Sequence, residues 1–533
     1  MHNVILQPRR AASIASAIFA LAACSAPSHE SQTVVYASGA DLESGNPLVT
    51  VHPLSRQIQR YALFVTLAQY DSLLRAQPYF ARSWEWSLDR RVLTFTLHSD
   101  VHWHDGAPTT AQDVAFTLNA ARDPATGYYR AADLASIASV AAPNDSSVVL
   151  RFVTPQPELP PVFCELAIAP AHLLQQVPLA QLKTHGFAFA PVGNGPFRFV
   201  RRDAGQRWVL ERNADFPLSL GGPAILQRLV VSIVDEPTTK FAGLVSGDLH
   251  VAGIAPTMAE LTADDPTLGV MSYPVLFATA LVFNTTRPPF DDVRIRRAIS
   301  AAIDRKRIVD VALSGFGTPS TAAVSPDNPR AYVPAPLPHD SVAPWLTAAG
   351  WSRDAMGTWR KNGKALEFTL LTVGSGDNAI EQLVQADLRE VGIDMGIRQI
   401  ELGTFFTTAR ASQKTFDALI AGIPGDLALS YLTTMFDSRY AGGALDYSGF
   451  HTPELDARFA AVYAAGSPQA LDAAWRSVQE ALDGATPVAW LYHARGVQGI
   501  SRRLQGVQMD LRGELVTLRR WQLAPAVQAH VDR

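Results

Sequence analysis

"TFTLHSDVHWHDGAPTTAQDVAFTL", residues 94–118, decides how this chain is read. Three histidines, His98, His102 and His104, fall inside it beside Asp105. Imidazoles and carboxylates this close are the raw material of a metal site. The surrounding pattern points elsewhere. Leu93, Phe95 and Leu97 alternate with polar neighbours, the period of a half-buried strand. "HDGAP" (104–108) has turn chemistry, because Gly106 tolerates positive φ and Asp105 can bond its own backbone. Thr110-x-x-Asp113 is a capping box, and Val114, Phe116 to Leu118 and Ala121 supply an apolar helix face behind it. The stretch therefore reads as strand, turn and capped helix. His102 and His104 share a strand face at i, i+2, but nothing places a third ligand beside them, and no HExxH or Cys pair occurs elsewhere. No metal ligand is assigned.

Composition agrees with an ordinary globular protein. The chain has 533 residues, 47% hydrophobic and 18% charged, which predicts two to four domains. A net charge of −4 with dispersed arginines argues against a nucleic-acid partner. No P-loop and no GxGxxG fingerprint is present. "GLVSG" (243–247) has the spacing of a nucleophile elbow, yet it reads as a helix end before a strand, whereas the elbow needs a strand before a helix. No catalytic residue and no cofactor is assigned, and the chain is read as a non-enzyme.

The first residues read as an export signal. Arg9 and Arg10 precede an apolar run from Ala11 to Ala23, too short for a bilayer, and Cys24 follows. Leu21-Ala22-Ala23-Cys24 resembles a bacterial lipobox, which implies lipidation of Cys24 and anchoring to a membrane at the periplasm or cell surface. Residues 1–23 are then a signal peptide and 24–33 a polar tether. Only one other cysteine exists, Cys164, in the apolar "LPPVFCELAIAP"; it is expected to be buried and inert.

Strand and helix signals then alternate. "TVVYAS", "RWVLERN", "LQRLVVSIV" and "LEFTLLTV" read as strands. "IQRYALFVTLAQYDSLL" (58–74), "DVRIRRAISAAIDRKRIVDVAL" (292–313) and "AIEQLVQADLREVGI" (379–393) each read as one helix. The Pro- and Gly-rich stretch 318–344 reads as a long connection.

The 94–118 stretch resembles the signature of the family 5 extracellular solute-binding proteins of peptide and nickel ABC transporters. "PVGNGPFRFV" (191–200) resembles the family's P-V-G-T-G-P-Y, with Asn194 for Thr. "LERNADF", "FAGLVSGDLHVA" and "NTTRPPFDDVRIRRAISAAIDRKRIV" resemble further family motifs, although His250 stands where an acid is common. "AAGW" (348–351), "DLREVGI" (387–393) and "RRLQGV…TLRRW" complete the order.

The resemblance implies an α/β, two-lobed periplasmic-binding-protein-like (Venus flytrap) fold with an extra peripheral subdomain in the first lobe. Residues 34–275 would form lobe 1, with the subdomain at about 69–186 and completion by 495–533; residues 276–494 would form lobe 2. The histidine cluster would lie in the subdomain, away from the ligand cleft. The implied protein is a monomer that captures oligopeptides between its lobes and delivers them to an ABC permease. For peptides the resemblance implies a carboxylate that captures the α-ammonium, within a G-W-x-x-D stretch. Here "AGIPGD" (421–426) matches, placing Gly422, Ile423 and Asp426 at the ligand. Ile423 replaces the Trp, Pro424 lacks an N–H, and the arginine of dipeptide binders has no match in "LLTVGSGDNA". A metal chelate, haem or another non-peptide solute is therefore the alternative ligand. Asp41 and Glu43, in "SGADLESGNPL" (38–48), either face the ligand or solvate a loop.

Overall fold

The 94–118 stretch folds as its chemistry dictates. In a computed structural model, which describes residues 32–50, 52–374 and 378–525, strand Val92–Leu97 leads through the Gly106 turn into helix Ala111–Arg122. The capping box is formed: Asp113 accepts a 2.8 Å bond from the Thr110 N–H. The same carboxylate accepts from Trp103 Nε1 (3.2 Å) and the Ala171 N–H (2.8 Å), so one buried acid ties three segments together.

His104 is a structural clamp. Its backbone N–H donates to Gly193 O (2.7 Å), its Nδ1 accepts from the Gly193 N–H (3.2 Å), and its Nε2 lies 3.0 Å from Gly195 O. These contacts select the neutral tautomer carrying its proton on Nε2. Burial pushes the His104 pKa down to about 4. Beneath it the Gly193-Asn194-Gly195 loop closes on the end of a helix. The N–H groups of Asn194 and Gly195 both donate to Leu63 O, at 3.0 and 2.8 Å, and Asn194 Oδ1 accepts from the Val65 N–H at 2.9 Å. A Cβ on Gly193 would lie 1.9 Å from Leu63 O, which is why glycine stands there.

This docking corrects one expected helix. Residues 58–74 are not continuous: helix Pro53–Ile58 passes into a π-turn, Gln59–Leu63, and Phe64 is already extended. The chain then enters strand Ala68–Tyr70. The helical period was present, but the glycine loop takes the Leu63 carbonyl that a continuing helix would need. The segment 292–313 also splits, into Val293–Ala302 and Arg305–Ala312, because Asp304 caps the second helix by accepting from the Arg307 N–H.

Among the described residues one 11-stranded sheet runs through the molecule, ten strands in one order and an eleventh, Gly317–Pro319, paired beside Val488–Ser501. On one side lie Asp394–Ile400, Glu367–Val373 and Ala418–Pro424; on the other lie Val251–Gly253, Thr33–Ser38, Arg228–Ile233, Arg207–Arg212 and Phe197–Asp203. The two long strands Leu268–Phe283 and Val488–Ser501 join them, antiparallel from Leu268↔Ser501 to Val282↔Val488, with a register shift between Pro274 and Ala278. Tyr273 and Ile500 belong to one core, which includes Val34, Phe64, Trp208 and Trp521. Beyond the shift, Ala280 and Val282 face a second core with Phe459 and Trp475, while Leu281 and Phe283 face a third with Phe290 and Ile299. That alternation is the two-residue period of a strand covered on both faces. A separate four-stranded sheet, Ala81–Trp86, Val92–Leu97, Ser147–Phe152 and Ile137–Asn144, forms the peripheral subdomain on the first lobe. Cys164 is buried there, and burial pushes its thiol well up. No described helix is long and apolar enough to cross a membrane. Cys24 and the residues before it lie outside the described residues.

Candidate ligand site at the lobe junction

Strand Ala418–Pro424 pairs with the second half of the crossing strand, from Phe277↔Pro424 to Phe283↔Ala418. The Gly425 N–H then donates to Leu276 O at 2.9 Å and fixes the turn that presents Asp426. The Asp426 carboxylate reaches forward: Oδ1 accepts from the Ser430 N–H and Oδ2 from the Tyr431 N–H, each at 3.0 Å. It thereby caps helix Ser430–Phe436. Leu429, just before that helix, is held at φ 63°, a left-handed conformation costly for a side chain with a Cβ. Each carboxylate oxygen has two lone pairs, so Asp426 keeps acceptor capacity toward the cleft while its orientation is fixed.

Around Asp426 lies a shallow hollow, open to solvent, whose walls include Phe277, Val324, Asn328, Tyr431 and His493. Tyr431 OH donates to Ala323 O (2.7 Å), and His493 Nε2 lies 3.1 Å from Ala322 O. These bonds pin the connection after Pro319 against the crossing strands. Burial raises the Tyr431 pKa, and the Asp426 charge adds to the effect. Burial also pushes His493 down to about 4. From the first lobe, Asp133 lies close enough to feel the charge of Asp426. Burial raises its pKa; Arg130, which it binds, opposes this, while the charge of Asp426 raises it further. Arg130 is shared with Glu165.

The structure brings Gly422, Ile423 and Asp426 to one strand end. Gly422 is exposed, with the Phe277 ring beside it; a Cβ would meet Phe277 Cζ at 2.1 Å. The Ile423 side chain is only 1% exposed and belongs to the second-lobe core. Asp41 and Glu43 sit on the first lobe and are engaged within it. Asp41 accepts from Arg202 (2.6 Å) and Trp208 Nε1 (2.7 Å), and those bonds outweigh burial and lower its pKa. Glu43 accepts from Thr50 Oγ1 (3.0 Å) and the His52 N–H (3.2 Å). Phe277, Tyr431, His493 and Asp133 escaped the sequence reading; each looks like ordinary core or loop until the sheet places it. Among the described residues no group of three His, Cys, Asp or Glu side chains is gathered where it could hold a metal ion. His102 faces only the Asp100 carbonyl, and His172 pairs with Asp105 at 2.9 Å.

Two α/β lobes on a shared sheet, with a solvent-open hollow at their junction, define a two-lobed binding-protein fold. The sequence profile of the bacterial extracellular solute-binding proteins, family 5 Middle, matches residues 75–443, and the chain belongs to that family. A putative ABC transporter peptide-binding protein of Brucella ovis is 29% identical over 330 residues, 61% of this chain and 60% of that protein. The chain thus matches about three-fifths of that relative's length. Among solved structures, the oligopeptide-binding protein AppA of Bacillus subtilis in complex with a nonapeptide superposes with a TM-score of 0.72 at 22% identity, covering 92% of this chain and 99% of AppA. NikA of Brucella suis in complex with Fe(III)-EDTA superposes at 0.80 and 19% identity, with 92% and 99% covered.

Proposed function

We propose that this chain is the extracytoplasmic solute-binding component of an ABC importer, and that it takes oligopeptides into the cleft between its lobes. In this reading residues 34–275 with 495–533 and residues 276–494 close on the peptide, and the closed form delivers it to a membrane permease without chemical change. A lipid on Cys24 would keep the protein at the membrane. The observation that carries the reading is Asp426: a carboxylate fixed by two backbone N–H bonds at the edge of a solvent-open hollow. The α-ammonium of a peptide is its natural partner. Phe277, next to Gly422, offers an apolar wall beside it. Closure follows because a ligand touching both lobes favours the state in which both contacts exist. The family includes binders of other solutes, so the test must discriminate between ligand classes.

That test is native mass spectrometry of exported protein lacking the lipid anchor. A ladder of adducts at peptide masses is expected. Asp426→Asn should remove it, because a charge-assisted bond contributes roughly 1.5–3 kcal/mol, or about 10- to 150-fold in affinity. Asn keeps one acceptor oxygen for the helix end and loses the other, so the thermal midpoint should fall only by the equivalent of about 1 kcal/mol, which leaves the fold intact for the binding test. A single adduct at the mass of a metal chelate, haem or other non-peptide solute would overturn the peptide reading.

A further inference from the structure

The wall of the hollow continues into an ion pair between the lobes. After Val324 and Asn328 the connection reaches Arg330, whose guanidinium is divided between two carboxylates. Its Nε donates to Asp472 at 2.7 Å and its Nη2 to Glu158 at 2.6 Å. Asp472 lies in helix Pro468–Ala485, on the same lobe as Arg330. Glu158 belongs to the loop after strand Ser147–Phe152 of the peripheral subdomain, on the other lobe. Both anchorages are firm. Arg90 holds the Glu158 loop through Gln156 O and Pro157 O, each at 2.7 Å. Gln479 holds the Arg330 segment by donating to Arg330 O and accepting from the Tyr332 N–H, each at 2.8 Å. The Arg330 side chain is only 19% exposed, against 57% for Asp472.

We infer that Arg330 is a positioning residue for lobe closure: its Asp472 arm is permanent, and its Glu158 arm exists only when the lobes are shut. The inference rests on the proposed closing motion, but it needs no ligand. One guanidinium serves both carboxylates, so the two compete for it. Removing Glu158 takes away an attraction that only the closed form has. Removing Asp472 leaves the guanidinium wholly to Glu158 and strengthens that attraction. The two substitutions therefore act in opposite directions, which a purely structural role for Arg330 would not produce. Because the pair is part-exposed, salt should weaken it.

The experiment uses the ligand-stripped, anchor-free chain with spin labels at Leu88→Cys and Met356→Cys, exposed positions on opposite lobes. Electron–electron distance measurements then report the ratio of closed to open forms. Glu158→Gln should lower that ratio roughly two- to fivefold, and Asp472→Asn should raise it. Raising NaCl to about 0.5 M should move the parent toward the Glu158→Gln distribution and leave that variant unmoved. Arg330→Gln combined with Glu158→Gln should shift no further than Arg330→Gln alone. Identical distributions in parent and variants, equal salt responses, or additive shifts would overturn the inference. Because no peptide is present, those outcomes are separate from failure of the peptide reading, which the adduct masses decide.

Discussion

Gly193→Ala should unfold the protein or destabilise it by about 3–4 kcal/mol, read from the urea midpoint of the anchor-free chain. The added methyl would stand 1.9 Å from Leu63 O and 2.9 Å from the His104 ring. Neither neighbour can retreat cheaply. Leu63 O already accepts from two loop N–H groups, and His104 is bonded to the loop through both ring nitrogens. Moving the loop would break these bonds and expose the buried Asn194, which lies between the loop and the Val65 N–H. Gly466→Ala is the control, since a Cβ there meets nothing within 4 Å, and it should change stability by less than about 0.5 kcal/mol. Equal effects at the two sites would sink the account of the docking loop.

The second large effect is acid lability between pH 6.5 and 4. His104 and His493 are both held at about 4 by burial, against an ordinary value of 6.5. A histidine with a depressed folded pKa is neutral in the fold and takes up a proton on unfolding. Its contribution is therefore complete above pH 6.5 and is lost as pH falls through that value toward 4. At pH 5 each should cost roughly 2 kcal/mol. Unfolding near pH 5.5 should take up about two protons, with His52 and His250, also lowered by burial, acting in the same direction. His451 opposes this trend: its bond to Asp446 raises its pKa, so its contribution is present below pH 6.5 and fades as pH rises. The check is calorimetry in buffers of different ionisation enthalpy; no net uptake at pH 5.5 would contradict the assignment.

Much of the architecture was legible because local and tertiary demands agree there. The capping box at Thr110 and Asp113 satisfies its own backbone, and the strands Thr33–Ser38 and Glu367–Val373 carry the apolar, β-branched pattern of a sheet even though their hydrogen bonds go to distant strands. Reading failed where a distant segment intervenes. Nothing near Leu63 announces that a loop 130 residues later will take its carbonyl, so the helical period over 58–74 outruns the helix that forms. Of the candidate site, the motif pointed to Gly422, Ile423 and Asp426, which the structure gathers at one strand end. Phe277 and Asp133 acquire meaning from strand pairing and burial, neither of which a local pattern encodes.

The crossing strands carry a mechanical consequence. Leu268–Phe283 and Val488–Ser501 run unbroken through both halves of one sheet, so the lobes are not beads on a flexible string. Any change in the angle between them must be absorbed as torsion in a two-ply ribbon, softest where the register slips between Pro274 and Ala278. Such a ribbon behaves as a leaf spring with a preferred rest angle. In the proposed closing motion the bend would fall at this slip and leave the paired ladder on either side intact, so repeated cycles would not approach the unfolding transition.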